Sequence, residues 1–219
     1  GATVVSVRSR GALPGGLMCR FGESAPVWAW SAGLSRARCV SSASSVSGWV
    51  SVSLSSFSGA LSSGGSFYYH GALSVSGVTP PLGPERGGTR VSVLGSGFRD
   101  AYTLRCRFEN ASSAVLARYV DASQLECVTP LHSLGAKAVL LSMNAQQYGV
   151  GGEVRYTYQA AAAVSSVSPS VVAAEGGAPV TVRGSGFSAA SEALGYLLCR
   201  VGGAVRRARW ASPTALVCN

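Results

Sequence analysis

The sequence predicts an all-β chain in which one small module is repeated three times. Three observations predict it. The first is an internal repeat. The run Val78-Thr79-Pro80, Glu85-Arg86-Gly87-Gly88, Val91-Ser92-Val93, Gly95-Ser96-Gly97-Phe98, Cys106-Arg107-Phe108, Tyr119 and Cys127 returns from Val167, 89 residues on. There it reads Val167-Ser168-Pro169, Glu175-Gly176-Gly177, Val180-Thr181-Val182, Gly184-Ser185-Gly186-Phe187, Cys199-Arg200-Val201, Trp210 and Cys218. A degraded first copy runs Val5-Ser6-Val7, Ser9-Arg10-Gly11-Ala12, Cys19-Arg20-Phe21, Trp30 and Cys39-Val40. A fixed self-similar period marks a repeat architecture. The second observation is period-two alternation, which places successive side chains on opposite faces of a strand. The third is that no segment carries a helical period, while Gly, Ser and Pro clusters punctuate the alternating runs.

In chain order, the first copy enters on Val4 to Val7 and turns at Leu13-Pro14-Gly15-Gly16. Leu17 to Phe21 alternates, with Cys19 and Phe21 on one face and Arg20 on the other. Trp28 and Trp30 share a strand face. Trp30 is matched with Tyr119 and Trp210, and Trp28 with Ala117 and Ala208, so both tryptophans are expected in the core, with an exposed contact as the alternative for Trp28. Gly48 to Leu54 is a strand, Ser55 to Ser66 is expected as a Ser/Gly hairpin loop, and Phe67-Tyr68-Tyr69 as the returning strand. The second copy has a strand over Ala138 to Met143, a loop over Gln146 to Gly152, and a last strand over Val154 to Tyr158. The junctions at Gly71 to Ser76 and Ala160 to Ala163 hold no long Gly/Ser or Pro tract.

The Pro, Gly-Gly pair, Val-x-Val strand, Gly-x-Gly-Phe turn, Cys-Arg-Phe and second Cys before Val128-Thr129-Pro130 resemble the IPT/TIG domain. That is the immunoglobulin-like module of plexins, the hepatocyte growth factor receptor and other cell-surface proteins, and of Rel-type transcription factors. The resemblance covers nearly the whole chain, strongest over 76–159 and weakest over 1–12. It implies tandem immunoglobulin-like β-sandwiches: 1–75 with its start missing, 76–159 complete, and 160–219 lacking its last strands. The chain therefore reads as a piece of a longer one. Short junctions between sandwiches predict a semi-rigid, rod-like arrangement. The paired cysteines resemble the extracellular members more than the nuclear ones.

Six cysteines fall in pairs, Cys19/Cys39, Cys106/Cys127 and Cys199/Cys218. Each copy holds one pair at matching positions, so the repeat selects intradomain disulfides from the possible connectivities. Zinc is disfavoured, because there is no Cys-x-x-Cys and the histidines are His70 and His132 alone. Free buried cysteines would not recur at constant spacing in three copies. Disulfides place the chain in an oxidising, extracellular or cell-surface setting. There, Asn110-Ala111-Ser112 is a candidate glycosylation site at Asn110.

The formal net charge is +9, carried almost wholly by arginine. Most arginines are scattered and read as solvated strand faces; Arg206, Arg207 and Arg209 form the one cluster, with Arg36 and Arg38 a thinner echo. No run of apolar residues is long enough to span a membrane. Gly184-Ser185-Gly186-Phe187-Ser188-Ala189 satisfies a dinucleotide pattern formally, but neither a following helix nor the acidic partner is evident, so no cofactor is expected. There is no nucleophile elbow, no repeated histidine motif, no carboxylate pair and no calcium loop. The expected function is non-catalytic: structural and adhesive contacts with other proteins or glycans, or with further copies, in a surface protein or extracellular filament. Trp28, Trp49 and the Arg206/Arg207/Arg209 cluster are the candidate contacts. The alternatives are a DNA-binding factor, disfavoured by the cysteine pairs and the sequon, and an accessory module of a polysaccharide-acting enzyme, which requires Trp28 and Trp49 exposed.

Overall fold

A computed structural model describes residues 2–57, 59–149 and 153–218, and within them three β-modules follow one another. The first holds β1 (Val4–Arg8), β2 (Met18–Phe21), β3 (Val27–Ser31), β4 (Arg36–Val40), β5 (Gly48–Ser56) and β6 (Gly59–Tyr69). The second holds β7 (Ser74–Thr79), β8 (Leu82–Pro84), β9 (Arg90–Ser96), β10 (Arg105–Phe108), β11 (Val115–Asp121), β12 (Gln124–Val128), β13 (Gly135–Ser142) and β14 (Arg155–Gln159). The third holds β15 (Ala163–Ser168), β16 (Val180–Ser185), the helix α1 (Ala189–Ala193), β17 (Leu198–Val201), β18 (Ala204–Ser212) and β19 (Ala215–Cys218). β7 begins at Ser74, so Ser74 and Val75, expected in the first domain, belong to the second module's first strand. Val150, Gly151 and Gly152, in the expected loop, lie outside the described residues.

The strand order is β1-β4-β3-β2-β5-β6, then β7-β9-β12-β11-β10-β13-β14-β8, then β15-β16-β19-β18-β17. In the first two modules the middle strand of the ribbon divides its pairing. In β3, Val27 and Trp28 pair with β2, while Ala29, Trp30 and Ser31 pair with β4. In β11, Val115 and Leu116 pair with β10, and Ala117 to Asp121 with β12. In β18 of the third module, Ala204 to Arg207 pair with β17, and Ala208 to Ser212 with β19. This change of partner folds each ribbon over itself, so that two sheets face one another across a core. Cys19–Cys39, Cys106–Cys127 and Cys199–Cys218 tie the strands on either side of that fold, with Cα separations of 6.3, 6.4 and 6.0 Å.

The second module has the largest core: Val91, Val93, Phe98, Leu104, Phe108, Leu125, Leu141, Tyr156 and Tyr158 pack around Cys106 and Cys127. The Tyr156 and Tyr158 rings meet each other and Phe108 edge-on, and His132 stacks on Tyr158 while donating Nε2–H to the Glu109 carbonyl at 2.7 Å. The first and third modules have smaller cores around Phe21, Val52 and Leu54, and around Val182, Phe187 and Leu216.

Three expectations are corrected. β1 is not the counterpart of the strand at Val78. Val5 stands opposite Cys39 as Val91 stands opposite Cys127 and Val180 opposite Cys218, so β1 occupies the place of β9 and β16. The expected loop over Ser55 to Ser66 is largely strand, because β5 continues to Ser56 and β6 begins at Gly59. The chain is all-β as expected, with one short helix, α1, among the described residues. Trp28 and Trp30 lie outside the core, 62% and 45% exposed. The cause is a slip of one residue in the sequence match: Ala29, Ala117 and Ala208 each stand opposite the second cysteine, so Trp30 aligns with Arg118 and Arg209, on the outward face.

The Gly-Ser-Gly-Phe turn has a packing reason in both the second and the third module. A Cβ at Gly95 would run into the Ser74 carbonyl oxygen and the Phe98 ring, and one at Gly184 into the Ala163 carbonyl oxygen and the Phe187 ring. Gly97 and Gly186 take left-handed φ of 80° and 75° against the carbonyls of Ala72 and Ala161. The turn is therefore moulded on the segment that enters its own module.

Replacing Cys106 and Cys127 together by alanine should lower the unfolding free energy by about 3 kcal/mol, the chain-entropy value for a loop of this length. Urea unfolding monitored by tyrosine and tryptophan fluorescence checks this. An unchanged midpoint would remove the bridge from the account of stability.

Candidate binding surfaces

The expected contact residues lie on three different surfaces. Trp28 projects outward from β3 and touches Phe57 at a ring separation of 5.7 Å. Trp49, 69% exposed, projects from the opening turn of β5 and meets Tyr68 edge-on at 5.1 Å. Arg206, Arg207 and Arg209 do not form one cluster. Arg206 stands opposite Cys199 and shares its side of β18 with the buried Ala208, whereas Arg207 and Arg209 alternate with Ala208 and face outward. The alternation of the strand divides what adjacency in sequence suggested.

Trp49 leads into a cleft of about 800 Å³ between the first and second modules. Its walls carry Trp49, Tyr68 and His70 from the first module and Arg99, Asp100 and Tyr102 from the second. Two clasps hold it. On one side the Arg99 guanidinium lies 4.1 Å over the Tyr68 ring and donates to its hydroxyl at 3.0 Å. On the other, the Gln146 side-chain amide accepts from the Val4 N–H at 2.8 Å and donates to the Val4 carbonyl at 3.0 Å. Gln147 donates to the Ala2 carbonyl at 2.8 Å and accepts from the Thr3 hydroxyl at 3.0 Å. The second junction has its own clasp: Gln159 donates to the Ser188 hydroxyl at 2.8 Å and accepts from Ser191 at 3.0 Å. None of these partners was legible in the sequence, since the amides of Gln146 and Gln147 reach across more than one hundred and forty residues.

Asn110 is exposed, in the left-handed region at φ 60°, in the turn between β10 and β11. His70, at the junction, donates Nδ1–H to the Gly71 carbonyl at 2.8 Å. The turn at Gly184 is followed by α1, the helix that the sequence did not show. Its glycines pack against the backbone that enters the module, at Ala163 and Ala161.

Two acidic groups of the second module are paired with arginine. Glu126 takes Arg118 at 2.7 Å and Arg90 at 3.3 Å, and hydrogen bonding from Arg118 first, then Arg90, holds its carboxyl below the usual value of 4.5. Glu109 is lowered chiefly by the Ala138 N–H, with Arg155 at 3.3 Å adding to it. Burial pushes the Tyr158 phenol well above its ordinary value. Among the described residues no group of His, Cys, Asp and Glu is placed to hold a metal, and no helix is long and apolar enough to cross a membrane.

Comparison with known proteins places these modules. The IPT/TIG domain family matches residues 73–158 and 162–219. No curated protein matches the chain. Among solved structures, the plexin A4 full extracellular region aligns with a TM-score of 0.53 at 16% identity, over 99% of this chain and 19% of that one. This chain thus spans about a fifth of that region, and the likeness shows a shared fold. SGBP-B from a complex xyloglucan utilization locus in Bacteroides uniformis aligns at TM-score 0.32 and 13% identity, over 84% of this chain and 57% of that one. Invasin, a bacterial integrin-binding protein, aligns at 0.28 and 9%, over 98% and 53%.

The lowered pKa of Glu126 fixes the sign of one pH effect. A folded pKa below the unfolded one contributes stability that is present above the ordinary carboxylate value and lost as pH falls through the folded value. The urea midpoint of the chain should therefore fall below about pH 4.5, and Glu126→Gln should flatten that fall. An acid limb identical in Glu126→Gln and wild type would remove the pairing as its cause.

Proposed function

The chain belongs to the IPT/TIG domain family, and from that premise we propose that it is a non-catalytic extracellular module of spacing and contact. The observation that carries this reading is the clasped junction between the first two modules. Side chains from both sides fix the modules against each other around an open cleft whose walls are aromatic and polar. A sandwich pair held in this way sets a distance and presents an end surface, and binding sites favour such domain interfaces. The three disulfides support placement in an oxidising compartment, where Asn110 would carry a glycan. The contacts proposed are with other proteins, including further copies in a surface assembly or filament.

A second reading is favoured by one observation. Trp28 and Trp49, which an accessory glycan-contacting module would need exposed, are exposed. Their rings offer apolar faces to the C–H faces of sugars, in the way aromatic surfaces serve at wet interfaces.

On natural material, peptide mapping should find no free thiol, three local Cys–Cys peptides and hexose on Asn110. Six free thiols with a bare Asn110 would sink the extracellular placement. Sedimentation velocity over a concentration series should show self-association that Tyr102→Ala and Trp49→Ala weaken by about tenfold each, the scale of a lost aromatic anchor. A monomer at every concentration would remove copy-to-copy contact. Retention on an immobilised neutral glycan, lost with Trp28→Ala, would instead establish the second reading.

A further inference from the structure

The three modules present the same sheet face to solvent with different charge. The register defines equivalent positions. Arg38, Glu126 and Val217 stand beside Trp30, Arg118 and Arg209 respectively, and Arg8, Leu94 and Arg183 occupy matching places on the neighbouring strand. In the second module part of this face's positive charge is offset, because Glu126 lies between Arg90 and Arg118 and pairs with both. In the first module the position of Glu126 is taken by Arg38, and Arg8 stands directly opposite Arg36. In the third it is taken by Val217, and Arg209 faces it alone, with Arg183 on the same face.

All of these arginines in the first and third modules are exposed, and none has a carboxylate partner among the described residues. Few acids are at hand: Glu23 in residues 1–75, and Glu175 and Glu192 in residues 160–219. Like charges set directly across a strand pair weaken it, so Arg8 against Arg36 is an arrangement that folding alone does not favour. An external anion would relieve it.

We propose that these outward sheet faces of the first and third modules bind an anionic polysaccharide. The charge complementarity is to a chain of sulfate or carboxylate groups. Arginine's planar fork suits either anion, and pairs of them at strand spacing suit a repeating polymer laid across a flat sheet. The choice of a polysaccharide over a nucleic acid rests on the extracellular reading above. Trp30, beside Arg38, adds an aromatic surface to the first module's face. The second module, with Glu126 in place, is the internal control.

The test uses the oxidised 219-residue chain on sensor surfaces bearing dextran sulfate, polygalacturonate, neutral dextran or double-stranded DNA. Retention is expected on one or both anionic polysaccharides, weakening with salt, and not on neutral dextran. Which of the two retains it tells sulfate from carboxylate. Val217→Glu gives the third module the acid that the second already tolerates, and should weaken retention about threefold, the worth of one exposed ion pair. Glu126→Val frees Arg90 and Arg118 and should strengthen it by a similar factor. Arg183→Ala with Arg209→Ala should weaken it without moving the melting temperature. If Val217→Glu and Glu126→Val both leave retention unchanged, the faces are not the site. Equal or tighter retention on DNA would overturn the polysaccharide assignment. A thiol count on natural material reads the compartment separately, so loss of the extracellular reading is told apart from loss of the site.

Discussion

A covalent tie across a folded ribbon is the constraint on which each module depends. The middle strand gives part of its pairing to one neighbour and the rest to the other, and that split turns one ribbon into two facing sheets. A module of this size can bury only a modest core, five residues in the first and third cores by comparison with the fuller second. A cystine between the two neighbours of the split strand removes much of the unfolded chain's freedom at the place where the sheets could part. The aromatic cluster of Phe108, Tyr156 and Tyr158 then fills the second module's interior against it.

The fold was largely legible in the sequence. Period-two runs at Leu17 to Phe21 and around Val91 and Val93 became strands with the expected faces inward, and the cysteines met as the repeat paired them. What failed did so at one-residue resolution. Matching aromatic with aromatic set Trp30 against Tyr119 and Trp210, whereas counting ten residues back from the second cysteine reaches Ala29, Ala117 and Ala208 in the three copies. Since alternate residues face opposite ways, that single step moved Trp28 and Trp30 from core to solvent. The same alternation separated Arg206 from Arg207 and Arg209. The strand character of the hairpin over Ser55 to Ser66 was hidden because serine and glycine lack a strand signal, while pairing with β5 supplied the order that propensity did not.

The surfaces were legible only in part. Composition showed a surplus of arginine, but not that the second module sets acids against its own arginines while, among the described residues, its neighbours do not. That difference emerges from strand register, which sets which side chains are neighbours. The junction clasps were invisible for another reason. An amide such as Gln146 bonding both backbone groups of Val4 has no local pattern, because its partner is fixed by how two finished modules meet.

The glycine turn moulded on Ser74 and on Ala163 has a consequence for how such chains grow and recombine. Each of these modules closes its turn on the start of its own first strand and on the backbone just before it, with carbonyl oxygens of that segment filling the space that a side chain would need. The heritable unit is therefore not the sandwich alone but the sandwich with its lead-in. A duplication that copied the strands without that short approach would leave Gly97 or Gly186 without the Ala72 or Ala161 carbonyl it packs against. One that copied both would carry the packing of its own turn with it.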